Sequence, residues 1–435
     1  MKRVMDFLDK NKTNILLIYL FSQPFLDLVT SICLNVLNIN LTVGIVVRVL
    51  FLIFLAFMFI FNSKSETKKK KFLYLIIISL YLIIFFTQIL LLKGTDVLFY
   101  ELSNTIRCFY FPILLILLID YLEKEKIEIK EKVWHYLFMI YIILIFIPTI
   151  TNTGFNGYTQ GKIGNIGWFN SSNEISAIIS LLLPLFMNSL KTIKNKLILV
   201  IELFITLYVI FNLGSKIVIL SLGIIILYYG YKYIRKLISN KEKKKIGLLT
   251  TCLVICLVVA SIFVPRTNFY KNIKIHLDFL EVDNAVEVFT NPKVFDHFIF
   301  SSRLTFLENT YSNYMNSNLS EKILGIGYIE NYGTDNVSLK MIEMDPFDIL
   351  FRHGILGFII YFITFICALI EIKDKFKMNK EKSKVVLIMS VIIGIILMCL
   401  SGHVLTSPAV SIYLSVVMML LIVNSFNLKI KKKTK

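Results

Sequence analysis

One repeating pattern constrains this chain more than any other feature. An uncharged apolar run is followed by a short basic cluster, and then by another apolar run. Phe72 to Leu92 is such a run, about 20 residues without a charge, and a helix of that length matches a hydrocarbon core of roughly 30 Å. Twelve such spans can be drawn, at about 14–36, 42–62, 72–92, 103–122, 133–151, 173–190, 197–213, 217–234, 246–264, 347–370, 384–402 and 408–425. Helices buried in a soluble core would keep a polar face, and most of these runs have none. A transmembrane barrel would show alternating segments of about ten residues instead. The fold class expected is therefore an all-α polytopic membrane protein with about twelve transmembrane helices. Composition agrees: 56% of the 435 residues are hydrophobic and only 17% are charged, against about a quarter charged in soluble domains.

The net charge of +18 does not point to nucleic acid, because its placement follows the membrane and no nucleic-acid-binding motif accompanies it. Seven basic clusters hold 34 of the 47 Lys and Arg residues. They comprise the first twelve residues, "KSETKKKK", "EKEKIEIKEK", "KTIKNK", "KYIRKLISNKEKKK", "KDKFKMNKEKSK" and the tail "KIKKKTK". All fall on one side of the twelve spans. The positive-inside rule makes that side the cytoplasm and puts both termini there. No cleavable leader is expected, since the first run is long and lacks a small-residue cleavage site.

The outward loops are short except between spans nine and ten, where about 80 residues run from Pro265 to Pro346. Long loops in compact proteins are functional or disordered, and the aromatic and aliphatic content here argues for a folded cap. The division expected is helices one to nine over 1–264, the extracytoplasmic cap over 265–346, and helices ten to twelve with the basic tail over 347–435. The six cysteines, Cys33, Cys108, Cys252, Cys256, Cys367 and Cys399, all lie in apolar runs. They give neither a disulfide framework nor a metal-ligand spacing.

Ionisable groups within spans cost about 2.5–3.5 kcal/mol each on insertion scales, so each needs a reason. Arg48, Arg107, Lys216 and Arg352 all fall in the outer half of their spans. Each can snorkel to headgroups or pair with Asp27, Glu101 or Asp348. Four on one level favour a shared anionic ligand reached from the outer leaflet. Lipid-linked diphosphate is the candidate, because guanidinium forks bind phosphate oxygens well. The stretch "IEMDPFDILFRHGILG" then places Glu343, Asp345, Asp348, Arg352 and His353 where the tenth span begins. Asp345 before Pro346 resembles an N-cap, and Asp345 and Asp348 share a helix face. Glu343 lies outside the helix, has no capping role, and is the candidate general base. His353 reads as a packed histidine, with Gly354 and Gly357 allowing close helix approach.

Four stretches resemble the O-antigen ligase and O-antigen polymerase superfamily. "SSRLTFLENTYSNYMNSNLSEKILGIGY" is similar to that family's loop motif, an arginine and helix followed by a glycine turn. "IGWFNSSNEISAIISLLLPL" and "GSKIVILSLGI" resemble two further motifs, with Lys216 where arginine is usual. "EMDPFDILFRHGILG" resembles the segment after the large loop. Family members often carry His-Asn eleven residues before the first glycine of that segment; here Glu343 stands in that place.

The resemblance implies a GT-C-like, metal-independent, inverting glycosyltransferase without a cofactor, in the bacterial cytoplasmic membrane. It would use a polyprenyl-diphosphate-linked oligosaccharide among membrane lipids, with a flippase and a chain-length regulator as candidate partners. Arg303 and Lys216 would meet the leaving diphosphate, with Arg107 and Arg352 behind them and Arg48 last. Glu343 would take the acceptor proton. The missing histidine favours a capsular, exopolysaccharide or teichuronate-type polymerase over a ligase of finished glycan. A lipid-linked oligosaccharide flippase is the alternative from another class. It would need no large cap, and its polar groups would continue to the cytoplasmic half, where only Asp120 and Glu202 lie.

Overall fold

Each apolar run is a helix wherever the structure describes it. The structure is a computed structural model, and it describes residues 2–39, 42–63, 65–123, 125, 129–157, 162–239, 262–280, 286–329, 340–378 and 384–433. The ninth span, expected at 246–264, falls almost wholly outside the described residues. In chain order the helices are α1 (Lys2–Lys10), α2 (Lys12–Asn35), α3 (Val43–Asn62), α4 (Lys68–Lys93), α5 (Leu98–Leu122), α6 (Glu131–Thr151), α7 (Ser172–Ser189), α8 (Lys196–Asn212) and α9 (Lys216–Ser239). Then come α10 (Asn268–Phe279), α11 (Arg303–Asn316), α12 (Leu319–Leu324), α13 (Asp345–Met378), α14 (Lys384–Leu400) and α15 (Pro408–Lys433). Among the described residues, eight helices are long and apolar enough to cross a membrane, and Lys384–Leu400 and Pro408–Val423 are shorter apolar helices. The chain is an all-α, multi-pass membrane protein. Helices suit that setting because they satisfy every backbone group internally.

Two compact units divide the chain. The first comprises residues 1–130 and 295–435, the second 131–294. The 265–346 loop is shared between them: its residues up to Val294 belong to the second unit, and those from Phe295 to the first.

In the first unit, α15 is the innermost element. Val410, Ile412, Tyr413, Leu414 and Val416 have no exposed surface, so its apolar stretch is wrapped by protein rather than lipid. It packs on α5, α14, α13 and α3. The outer helices instead turn large apolar side chains outward, such as Ile18, Leu50, Ile83 and Leu91, as a lipid-facing surface requires. In the second unit, α7 lies against α6 and α9, and α8 packs on α6 and α10.

The tenth span is not continuous. Gly354 within α13 has φ 62° and ψ −177°, which separates Asp345–His353 from the longer segment that follows. Such a break frees backbone carbonyls that a membrane core cannot hydrate. The "ILGIGY" turn after α12 takes them: Ile326 N–H donates to Phe351 O (3.0 Å) and Gly327 N–H to Arg352 O (3.1 Å). Tyr81 Oη donates to His353 O at 2.8 Å, and Gln88 Nε2 to Gly325 O at 3.1 Å. Gly325 and Gly354 make this approach possible. A Cβ on Gly325 would overlap the Arg352 carbonyl, and one on Gly354 the Ile323 carbonyl. The paired glycines of "ILGIGY" are thus a docking turn for a broken helix.

Candidate functional site

The end of the large loop is assembled from backbone upward by carboxylates. Asp348, one turn into α13, reaches back and accepts from Ile342 N–H (2.9 Å) and Met344 N–H (3.2 Å). Ile342 and Met344 are buried with Tyr314, Ile326 and Phe351. Glu343 between them sits at φ 62°, and its side chain keeps 35% of its exposure.

Asp345 does not act as the N-cap expected of it. Its carboxylate leaves its own helix and accepts from His403 N–H (2.8 Å), Val404 N–H (2.9 Å), Leu405 N–H (2.7 Å) and Thr406 Oγ1 (2.8 Å). Four donors converge there because the turn between α14 and α15 points its amides at one spot. His403 itself sits at φ 60°. Before it, Gly402 touches the backbone of Glu343 so closely that a Cβ would overlap it. Two acids three residues apart therefore fix two loops against each other.

Glu343 stands where those loops meet. Its Oε2 accepts from Arg303 Nη2 at 2.6 Å, and its Oε1 lies 3.8 Å from His403 Nε2. Burial pushes this carboxyl up, but the neighbouring His403 and Arg303 outweigh burial and bring it from 4.5 down to about 2. Glu343, expected as the candidate general base, is here an ion-paired carboxylate.

Arg303 opens α11 after Ser301 and Ser302, both left-handed. Asp296 caps that start, accepting from Leu304 N–H (2.9 Å), Thr305 N–H (3.0 Å) and Thr305 Oγ1 (2.8 Å). Besides Glu343, Arg303 donates from Nη1 to Phe300 O at 3.1 Å.

The other expected cations separate into different roles. Arg48 is 3% exposed; it donates to Asp27 (2.5 Å) and to Gln23 (2.9 Å) and ties α3 to α2. Arg352 is 1% exposed, and its guanidinium donates to Gly327 O (3.1 Å) and Lys340 O (3.0 Å), holding the glycine turn. Both were expected to meet diphosphate; protein acceptors occupy them because each sits beside a helix contact that must be satisfied without water. His353 is fully buried among Tyr81, Phe85, Phe109 and Tyr328, with Nε2 3.0 Å from Tyr328 Oη. Its ring is packed in this aromatic cage. Arg107 differs. It is half-buried on α5, and its Nε has no hydrogen-bond partner among the described residues.

Lys216 begins α9 in the second unit, two residues after Gly214 (φ 71°). Asn272 of α10 pins that turn: its amide donates to Gly214 O (3.0 Å) and Ile163 O (2.7 Å) and accepts from Ile163 N–H (2.7 Å). Asn268 donates to Asn212 O at 3.0 Å. Sequence reasoning missed the Asn268 and Asn272 pair, although their spacing of four on one helix face was visible. It also missed His403, whose only signal was a histidine beside glycine in a short outward turn, "SGHVLTSP".

The family model described as O-antigen ligase like membrane protein matches residues 9–290 and 287–429. No curated protein matches the chain. With its helical spans, and with the loop arginine, the glycine turn and the segment after the large loop meeting in one unit, the chain belongs to the O-antigen ligase like membrane protein family.

Proposed function

We propose that this protein is a polymerase of a surface polysaccharide. It transfers glycan from a polyprenyl-diphosphate-linked donor to an acceptor sugar hydroxyl at the outer face of the cytoplasmic membrane. The observation that carries this reading is the Arg303–Glu343–His403 cluster, partly open to solvent at the end of the large loop, in a chain of this family.

The chemistry asks for two things. Charge growing on the departing diphosphate must be met, and preorganised cations in a site of low dielectric can do this without a metal. Arg107 is the cation best suited on its surroundings, since no described residue accepts a hydrogen bond from any nitrogen of its guanidinium. Arg303, in the same unit, is its expected companion. The acceptor hydroxyl must also lose a proton, and a carboxylate held by Arg303 is a poor base for that task. Glu343 instead supplies fixed negative charge.

Reconstitution of the full chain in liposomes with a synthetic undecaprenyl-diphosphate oligosaccharide tests the reading. Lengthened lipid-linked glycan is expected, with Arg303→Ala abolishing it and EDTA leaving the rate unchanged. Transfer only to a second acceptor would make the protein a ligase. Relocation of the donor across the bilayer without transfer would make it a flippase.

A further inference from the structure

We infer that His403, presented by the turn that Asp345 organises, is the group that takes the acceptor hydroxyl's proton. This rests on the glycosyl-transfer reading above and adds a residue from a part of the chain to which that reading assigned no chemistry.

Three observations point to it. First, His403 reaches the same place as Glu343 from a separate loop, 60 positions further along the chain, with Nε2 3.8 Å from Oε1. The imidazole therefore stands directly beside the carboxylate. Second, both side chains keep surface: 22% for His403 and 35% for Glu343. By contrast His353, the other histidine at this end of α13, is sealed among aromatic rings. Third, the backbone is held in an unfavourable form. His403 is a non-glycine residue at φ 60°, a conformation that persists only where surroundings impose it. Asp345 imposes it through three consecutive N–H groups and Thr406. A turn needing only to link two helices would not require a buried carboxylate devoted to its amides.

The charged groups around the imidazole then have defined parts. Glu343 faces it from the segment before α13, Asp345 from the start of α13 through the turn's backbone, and Arg303 from α11 through Glu343. Arg303 keeps Glu343 ionised, so Glu343 competes weakly for the proton. The same carboxylate stabilises the imidazolium that forms beside it. In the step itself, the acceptor oxygen bonds to the anomeric carbon of the donor sugar, while its proton passes to the unprotonated ring nitrogen of His403. The bond from the anomeric carbon to the diphosphate oxygen breaks, and its electron pair leaves with the lipid diphosphate. Asp345 is a positioning residue and touches no reacting atom.

The test uses the full-length protein in liposomes with the undecaprenyl-diphosphate donor, and compares wild type, His403→Gln and Asp345→Asn. With a sugar acceptor, His403→Gln is expected to lower kcat by about 10²–10⁴-fold with little change in donor KM. It should also remove the acidic limb of the pH–rate profile, which wild type should show in the range where histidines titrate. Azide carries no proton to remove, so His403→Gln should use it as acceptor at the wild-type rate. Asp345→Asn should slow sugar transfer while retaining the acidic limb. Wild-type sugar transfer by His403→Gln would overturn the inference and leave the glycosyl-transfer reading intact. An equal loss with azide and sugar would also overturn it, by making His403 structural. A wild-type protein that transfers sugar from no lipid-diphosphate donor overturns both readings.

Discussion

At the scale of single residues, the site is governed by which charges have partners. Five cations were singled out by depth or motif. Sequence depth placed Arg48, Arg107 and Arg352 alike, yet Arg48 and Arg352 donate to protein acceptors while the guanidinium of Arg107 donates to no described residue. Depth reports the cost of burying a charge. It does not report what meets that charge, because the acceptors come from distant positions: Gln23 and Asp27 for Arg48, and the carbonyls of Gly327 and Lys340 for Arg352.

The Arg303–Glu343 pair gives a prediction at this scale. The Glu343 carboxyl lies at about 2 against an ordinary 4.5. A carboxylate lowered on folding stabilises the native state above its unfolded value, and that contribution disappears as pH falls through the folded value. The difference in melting temperature between wild type and Glu343→Gln should therefore be full above about pH 5 and shrink steadily from pH 4.5 toward 2. Thermal unfolding of the detergent-purified proteins across that range measures it. A difference independent of pH would mean that the pair does not act through charge.

At the scale of elements, the break in α13 organises the site. The segment before Gly354 carries Asp345 and Asp348, whose carboxylates reach backward and sideways into loops. The segment after it is an ordinary apolar span. A straight helix through Gly354 would remove the exposed carbonyls of Phe351 and Arg352 that seat the glycine turn. Gly354→Ala should accordingly destabilise the protein by about 1–3 kcal/mol, the usual cost of a strained backbone position, with more from the clash against the Ile323 carbonyl. Gly223→Ala is the matched control. Nothing lies within 4 Å of a Cβ placed there, and an alanine in mid-helix gains up to about 1 kcal/mol over glycine. Chemical denaturation of the two variants should move in opposite directions. The existence of this span was legible at 347–370, where apolar residues outweigh Arg352 and His353. Its interruption was not, because glycine in a membrane helix more often marks close packing. The partner that decides between the two, "ILGIGY", lies before the helix and signals only a tight turn.

At the scale of the whole molecule, the alternation of apolar runs and basic clusters was enough to write down the helical class and the bounds of most spans to within a few residues. The tertiary arrangement of polar groups was not readable, and Glu343 with His403 shows why. Neither residue has a local pattern that calls for the other; they meet through turns whose geometry depends on Asp345 and on Gly402. The charge asymmetry predicts the orientation, which is open to direct measurement. In a variant stripped of native thiols, a cysteine replacing Lys69 or Lys373 should react with a membrane-impermeant maleimide only after permeabilisation. One replacing Asn318 in the large loop should react in intact cells. Reversed labelling would invert the topology and place the cluster on the cytoplasmic face.

The enclosure of α15 has a consequence for biogenesis. The helix at the centre of its unit follows, in the chain, the helices that surround it, so the ribosome delivers the filling after the walls. Those walls must hold an unfilled slot in the bilayer until that segment slides in. The turn bearing His403 immediately precedes that segment. The chemistry proposed for this corner therefore switches on only once that helix has been made, and a nascent chain stalled before Pro408 would be membrane-inserted yet inert.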